Sequence, residues 1–289
     1  MIRVFSVSIL FFLFFSCVSR PSLRIDDSEE LKEIIPEEIT QEETIQEEVI
    51  PGKIDEKEIL FDQLSAALIN AQLPSYITEN ILQSLIISSG FIYELNTILN
   101  EDPFFWVLVD KERFLDRNYE PQDLITLNNG FYRINRTNLF LRKDAAASLE
   151  IMAAGARAEG LTLVISSAYR SYNQQEQIYT QNVSRMGRQA ADRVSARPGH
   201  SQHQLGLTVD FGSITNSFAV TQEGIWLAAN ASRFGWSLSY PDGYEHVTGY
   251  SWESWHYRYV GIELAQFIDK YFDGIQQYAL RFIYEYQKL

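Results

Sequence analysis

The sequence predicts an α+β fold, a small antiparallel sheet with flanking helices, preceded by a helical segment and a disordered acidic stalk. Three observations lead there. Beyond residue 104, short stretches of strand character alternate irregularly with helix-like segments, without the even βαβ rhythm of a parallel sheet. Residues 59–99 carry apolar side chains at three- and four-residue intervals. Residues 26–58 hold fourteen acids against three bases, eleven of the net fourteen negative charges of the chain.

The first 17 residues have the parts of a secretory signal. Arg3 supplies a short positive region, residues 7–15 are apolar apart from Ser8, and Ser16 and Cys17 follow. The apolar run is shorter than the roughly 20 residues of a spanning helix. A small residue before a lone cysteine at the end of such a run resembles a bacterial lipobox, with Phe14 and Phe15 standing where that pattern usually has an aliphatic and a small residue. The resemblance implies lipidation of Cys17, a membrane-anchored lipoprotein, and a place in the bacterial cell envelope facing the periplasm or exterior.

Residues 18–58 read as a solvated spacer. The quasi-repeat EEITQ, EETIQ, EEVIP begins at Glu37, Glu42 and Glu47, and like charges at that density keep a chain extended. Residues 59–102 form the helical segment: Leu60, Leu64 and Leu68, then Ile81 and Leu85, sit on helical spacing, and Pro74 separates two helices. Residues 103–273 form the main domain. Strands are expected at 106–109, 161–165, 207–211 and 255–259. Helices are expected from Asp144 to about 159, over 173–186, from Thr221 to near Phe234, and from near Gly261, with Gly160, Gly187 and Gly235 as stops. Residues 274–289 read as a C-terminal helix.

With 289 residues, 46% hydrophobic and 13% aromatic, the chain has material for one sizeable core. No basic stripe suggests nucleic acid. The single cysteine allows no internal disulfide and no cysteine metal cluster, so any metal site must draw on His, Asp or Glu. There is no Ser-x-x-Lys, no His-Glu-x-x-His and no Gly-x-Ser-x-Gly, which excludes three hydrolase classes.

The four histidines are His200, His203, His246 and His256. A loop with His203, a turn at Gly206 and a strand ending in Asp210 would bring the first two near each other. Glu253 stands three residues before His256. Two histidines and one carboxylate with an open fourth position make a catalytic zinc set, and a second carboxylate off the metal can act as a base. Spacing alone leaves this open, since a lone histidine is more often packed or on the surface. His200 reads as packing, His246 as a surface loop residue, and the tyrosines and tryptophans around His256 as core or pocket wall.

Three ordered motifs go further: SAYRSY at 167–172 with Gln175 after it, RPGHSQHQLGLTVD at 197–210, and ESWHYRYVG at 253–261. Over about residues 104–267 the chain resembles the VanY-type D-alanyl-D-alanine carboxypeptidases, related to VanX and to the hedgehog N-terminal fold. The resemblance implies one Zn2+ ion held by His203, Asp210 and His256, with Glu253 as catalytic base. It implies that Arg170 binds substrate and steadies the oxyanion, that Gln175 and Ser201 bind substrate, and that the substrate is the terminal D-alanine of peptidoglycan stem peptides. The family pattern commonly has glutamate where Gln202 stands, arginine at Ser239 and proline at Ser254. The alternatives are an L,D-carboxypeptidase acting on tetrapeptide stems and a non-catalytic peptidoglycan-binding envelope lipoprotein.

Overall fold

The structure is a computed structural model that describes residues 56–289. The signal segment with Cys17 and residues 18–55 of the acidic stalk lie outside the described residues. The chain opens with three helices, α1 (Glu56–Asn70), α2 (Ser75–Ile87) and α3 (Gly90–Leu99), broken at Pro74 and at Ser88 and Ser89. Leu64 and Leu68, Ile77 and Ile81, and Phe91, Leu95 and Ile98 are buried, the faces that helical spacing selects. They share a core with the two last helices, α10 (Ile262–Tyr271) and α11 (Gln276–Tyr286), where Phe91 meets the rings of Phe267 and Tyr271, each at 4.9 Å.

Between these helices lies the sheet-containing part. In chain order it holds α4 (Pro103–Trp106), β1 (Leu124–Thr126), β2 (Arg133–Ile134), β3 (Phe140–Arg142), α5 (Lys143–Ala158), β4 (Val164–Ser167), α6 (Tyr172–Met186) and α7 (Arg188–Val194). Then come β5 (Thr208–Phe211), α8 (Gln222–Asn230), β6 (Trp236–Leu238), α9 (Glu245–Thr248) and β7 (His256–Tyr259). The main sheet has the order β2-β4-β5-β7-β6, antiparallel except for the short β2–β4 pair, and β1 pairs with β3 apart from it. The fold is α+β, as the irregular alternation of elements predicts.

Several expectations shift, among them the strand expected at 161–165, which forms at Val164–Ser167. The strand expected at 106–109 is instead the end of α4 and the segment after it. Asp102 accepts a hydrogen bond from the Phe104 N–H at 2.9 Å and Pro103 occupies the first turn, so a helix starts here. The helix expected to be capped by Asp144 begins at Lys143, which places Asp144 inside the first turn, where a negative charge favours the helix dipole. The helix expected from Thr221 forms as α8 followed by a 3-10 turn at Ala231–Phe234, and Thr221 does cap it, accepting from Gly224 at 3.0 Å.

Strand period two divides the sheet into a core face and a polar face. Val209 and Phe211 of β5 and Tyr257 of β7 join the core under α5, which contributes Ala145, Leu149, Met152 and Ala153. Thr208, Asp210, His256 and Arg258 alternate with them. Register sets Asp210 beside His256 on one side and Ser167 on the other, so polar side chains from three strands form one row.

Arg258 is fully buried on this face and has no acidic partner among the described residues. Its Nη2 donates instead to the carbonyls of Phe104, Phe105 and Val107 at 2.9 to 3.1 Å, closing the end of α4. Burial pulls its pKa down to about 10, with the neighbouring Tyr240 and Tyr119 opposing that shift, so the group stays charged near neutral pH. Arg258→Met would strand three carbonyls. Urea denaturation is expected to show a loss of about 3 kcal/mol, and an unchanged midpoint would contradict this anchoring role.

Candidate active site

Two of the site's groups come from the row on the sheet and a third from a turn above it. After Ser201 a single 3-10 turn (Gln202–Leu205) carries His203, and Gly206 at φ +69° reverses the chain into β5. A Cβ at Gly206 would meet Leu124, Arg142 and Pro121 at 2.9 to 3.1 Å, so glycine alone allows this turn to sit so close to the β1–β3 hairpin. The His203 ring is thereby dropped onto Asp210.

His203, Asp210 and His256 are all buried, and one ligand atom from each lies within 4.8 Å of the others. His203 Nε2 is 3.3 Å from Asp210 Oδ2, and His256 Nδ1 is 3.2 Å from Asp210 Oδ1. Each histidine thus approaches a different oxygen of Asp210, at about the 3.4 Å that separates donor atoms around a tetrahedral zinc. Other features agree. Asp210 Oδ1, although near His256, is buried without a hydrogen bond of acceptable geometry. His203 Nδ1 donates to the Ala168 carbonyl at 2.7 Å, which leaves the Nε2 lone pair facing the site. The residues fit a metal ion.

Electrostatics point the same way. Burial drives the His203 pKa down to about 4, Asp210 only partly resisting, so its imidazole is neutral and able to ligate near neutral pH. Burial alone would raise Asp210, but the two imidazoles outweigh it and hold the carboxyl well below its usual range. For His256, burial lowers the pKa, yet the carboxylates of Asp210 and Glu253 beside its Nδ1 more than offset it and lift it to about 9. The two histidines thus shift in opposite directions around one carboxylate. Two carboxylates, Asp210 and Glu253, converge on His256 Nδ1, and this concentration of negative charge calls for a cation, either a proton or a metal.

Glu253 lies on the loop before β7, with Oε2 3.3 Å from His256 Nδ1 and its side chain open to the groove. The loop is held by Asn216, which sequence spacing did not single out. Its Nδ2 donates to the Trp252 carbonyl at 3.1 Å and its Oδ1 accepts from the Ser254 N–H at 3.2 Å, bracketing Glu253 on both sides. A proline at 254 would lack that N–H.

Arg170 enters from the loop after β4. Nη2 is 3.1 Å from Ser167 Oγ and 4.0 Å from Asp210 Oδ2, and Nη1 donates to Gln175 Oε1 at 2.7 Å. Burial lowers its pKa, with Asp210 opposing. Gln175 does not line the groove. It is buried behind Arg170, and its Nε2 donates to the Ala196 carbonyl at 2.6 Å. Ser201 does line the groove. His200 lies outside the group: its Nδ1 is 2.8 Å from the Asp110 carbonyl and its ring packs on Phe114. His246 is exposed and stacks on Tyr244. The groove over the site measures about 520 Å³, a size suited to a short peptide end, and its walls include Ile178, Val194, Tyr240, Trp252 and Trp255. Tyr240 packs on His256 with ring centroids 4.7 Å apart.

The chain is similar to several known proteins. Residues 138–262 match the family model VanY, D-alanyl-D-alanine carboxypeptidase. The putative carboxypeptidase YodJ of Bacillus subtilis is 36% identical over 197 residues, 63% of this chain and 72% of the relative. A D-alanyl-D-alanine carboxypeptidase of Enterococcus faecalis is 32% identical over 177 residues, 57% of this chain and 62% of the relative. Among solved structures, the L,D-carboxypeptidase LdcB matches with TM-score 0.53 and 34% identity, covering 58% of this chain and 85% of LdcB. A mutant of the vancomycin-resistance D,D-pentapeptidase VanY, in complex with Zn(II), matches with TM-score 0.50 and 31% identity, covering 60% and 96%.

Proposed function

The chain belongs to the VanY family of D-alanyl-D-alanine carboxypeptidases, which are zinc metallopeptidases, and on that premise we propose that it removes the terminal D-alanine from peptidoglycan stem pentapeptides. The observation that carries the reading is the buried convergence of His203, Asp210 and His256 beside Glu253. In this reading those three residues hold one Zn2+, and Glu253 and Arg170 act on the substrate.

Bound zinc would lower the pKa of a water to about 7 and polarise the scissile carbonyl. Glu253 then takes the proton of the attacking water and passes it to the departing amine of D-alanine. Its carboxylate is placed for this by Asn216, which fixes the backbone on either side. Arg170 stabilises the negative charge that develops on the carbonyl oxygen. Gln175 and Ser167 lock the guanidinium in place before substrate arrives, so little reorganisation accompanies the reaction. Gln175 therefore supports Arg170 rather than touching the peptide. Ser201 and the aromatic walls position the chain end.

The similarity to LdcB supports a second reading, removal of D-alanine from tetrapeptide stems. Purified pentapeptide and tetrapeptide muropeptides separate the two. The expected result is loss of one D-alanine from the pentapeptide, stopped by a chelator and restored by zinc. An untouched pentapeptide beside a trimmed tetrapeptide would transfer the assignment to L,D-carboxypeptidase. Lipidation of Cys17 at the end of the signal segment would place the enzyme at the envelope membrane. The acidic stalk of residues 18–58, of which the last three belong to α1, would then act as a tether reaching toward the wall.

A further inference from the structure

The polar face of the sheet continues past His256 into a buried chain of side-chain amides. Gln202, Ser239 and Gln276 are each 1 or 2% exposed. Gln276 Nε2 donates to the Ser237 carbonyl at 3.2 Å. Its Oε1 therefore faces Gln202 and accepts from Gln202 Nε2 at 3.3 Å. That in turn points Gln202 Oε1 at His256 Nε2, 3.3 Å away. Ser239 Oγ donates to the same oxygen at 2.7 Å.

A backbone carbonyl can only accept. The carbonyl of Ser237 thus sets the direction of every amide in the row, and an amide oxygen facing His256 Nε2 requires a proton on that nitrogen. In the neutral, metal-binding ring the lone pair of His256 is then left on Nδ1, the atom that faces Asp210 and Glu253. We propose that Gln202 is a positioning residue for the metal centre: the relay Ser237–Gln276–Gln202 holds His256 in the tautomer that offers Nδ1 to the metal, and so ties metal affinity to the C-terminal helix α11. The inference rests on the zinc-site reading above. Two departures from the family pattern, at Gln202 and Ser239, meet in this relay. The amide at 202 and the hydroxyl at 239 satisfy each other here without burying a net charge.

The test uses the full chain, with zinc affinity measured by competition against a chromophoric chelator. It is joined by 15N spectra of the zinc-loaded protein labelled at histidine. Outer-shell partners of ligating histidines typically contribute ten- to a hundred-fold in metal affinity. Q202M, similar in shape but unable to accept as the amide does, is expected to bind zinc about ten-fold more weakly. It should also lose the slowly exchanging Nε2 proton of His256. Weakening of about three-fold or more with loss of that proton supports the relay. A smaller change, or a retained proton, overturns it. If Q202M does not fold, Q276M breaks the row one link further from the metal and is judged by the same two readouts. A wild-type chain that binds no zinc would overturn the metal-centre reading itself and the relay with it, so the two failures are told apart.

Discussion

Glu253→Ala is expected to leave one zinc per chain bound and to lower kcat by roughly a thousand-fold, the size of a lost general base. The expectation follows from where Glu253 sits. Its Oε2 is 3.3 Å from His256 Nδ1, close enough to reach a water at the metal. The proposed ligand set is complete without it, since His203, Asp210 and His256 would supply three donors and leave a fourth position open. The fold should be unaffected, because the loop is held by backbone groups of Trp252 and Ser254 through Asn216, and the Glu253 N–H bonds to the Tyr240 carbonyl. Metal analysis and turnover on the same preparation check both halves. Loss of zinc in this variant would make Glu253 a ligand instead of the base, and retention of most activity would remove it from the mechanism.

His203→Ala is expected to lose the metal and with it all measurable hydrolysis. Removing a ligand should weaken zinc by more than the ten- to hundred-fold typical of outer-shell changes. The structural loss should be small by comparison, on the order of 1 kcal/mol for the bond from Nδ1 to the Ala168 carbonyl plus some packing. Thermal melting of the metal-free proteins separates the effects: variant and wild type should melt within a few degrees of each other without zinc and diverge once zinc is added. His200→Ala is the matching control. It stands three residues away on the same segment, but its ring bonds to the Asp110 carbonyl and packs on Phe114 away from the group, so zinc binding and turnover should stay near wild type. A His203→Ala chain that still held stoichiometric zinc would displace the proposed ligand set.

The parts of the site that share a strand or a short loop were legible in the sequence. Asp210 and His256 belong to segments with strand patterning, and His203 is joined to Asp210 by one glycine turn, so their convergence needed only the pairing of two strands. What escaped depends on contacts with no local signature. Asn216 reaches Trp252 and Ser254 from 36 and 38 residues away. Gln202 meets Gln276 across 74 residues, and nothing about an isolated glutamine announces a partner in the last helix. Gln175 was legible as part of the site but not as the support of Arg170, because motif position does not say which way an amide points. In the fold, β2 at two residues and β1, β3 and β6 at three are too short to show a period. The segment at 106–109 read as a strand because it is apolar, and the Asp102 and Pro103 helix start just before it outweighed that pattern.

The most direct measurement is a crystal structure of the zinc-loaded protein with anomalous scattering recorded at the zinc edge. One strong peak is expected about 2.0 to 2.2 Å from His203 Nε2, an Asp210 oxygen and His256 Nδ1, with Glu253 beside it and outside bonding distance. A peak elsewhere in the molecule, or none at these three side chains in zinc-saturated crystals, would rule out this metal centre.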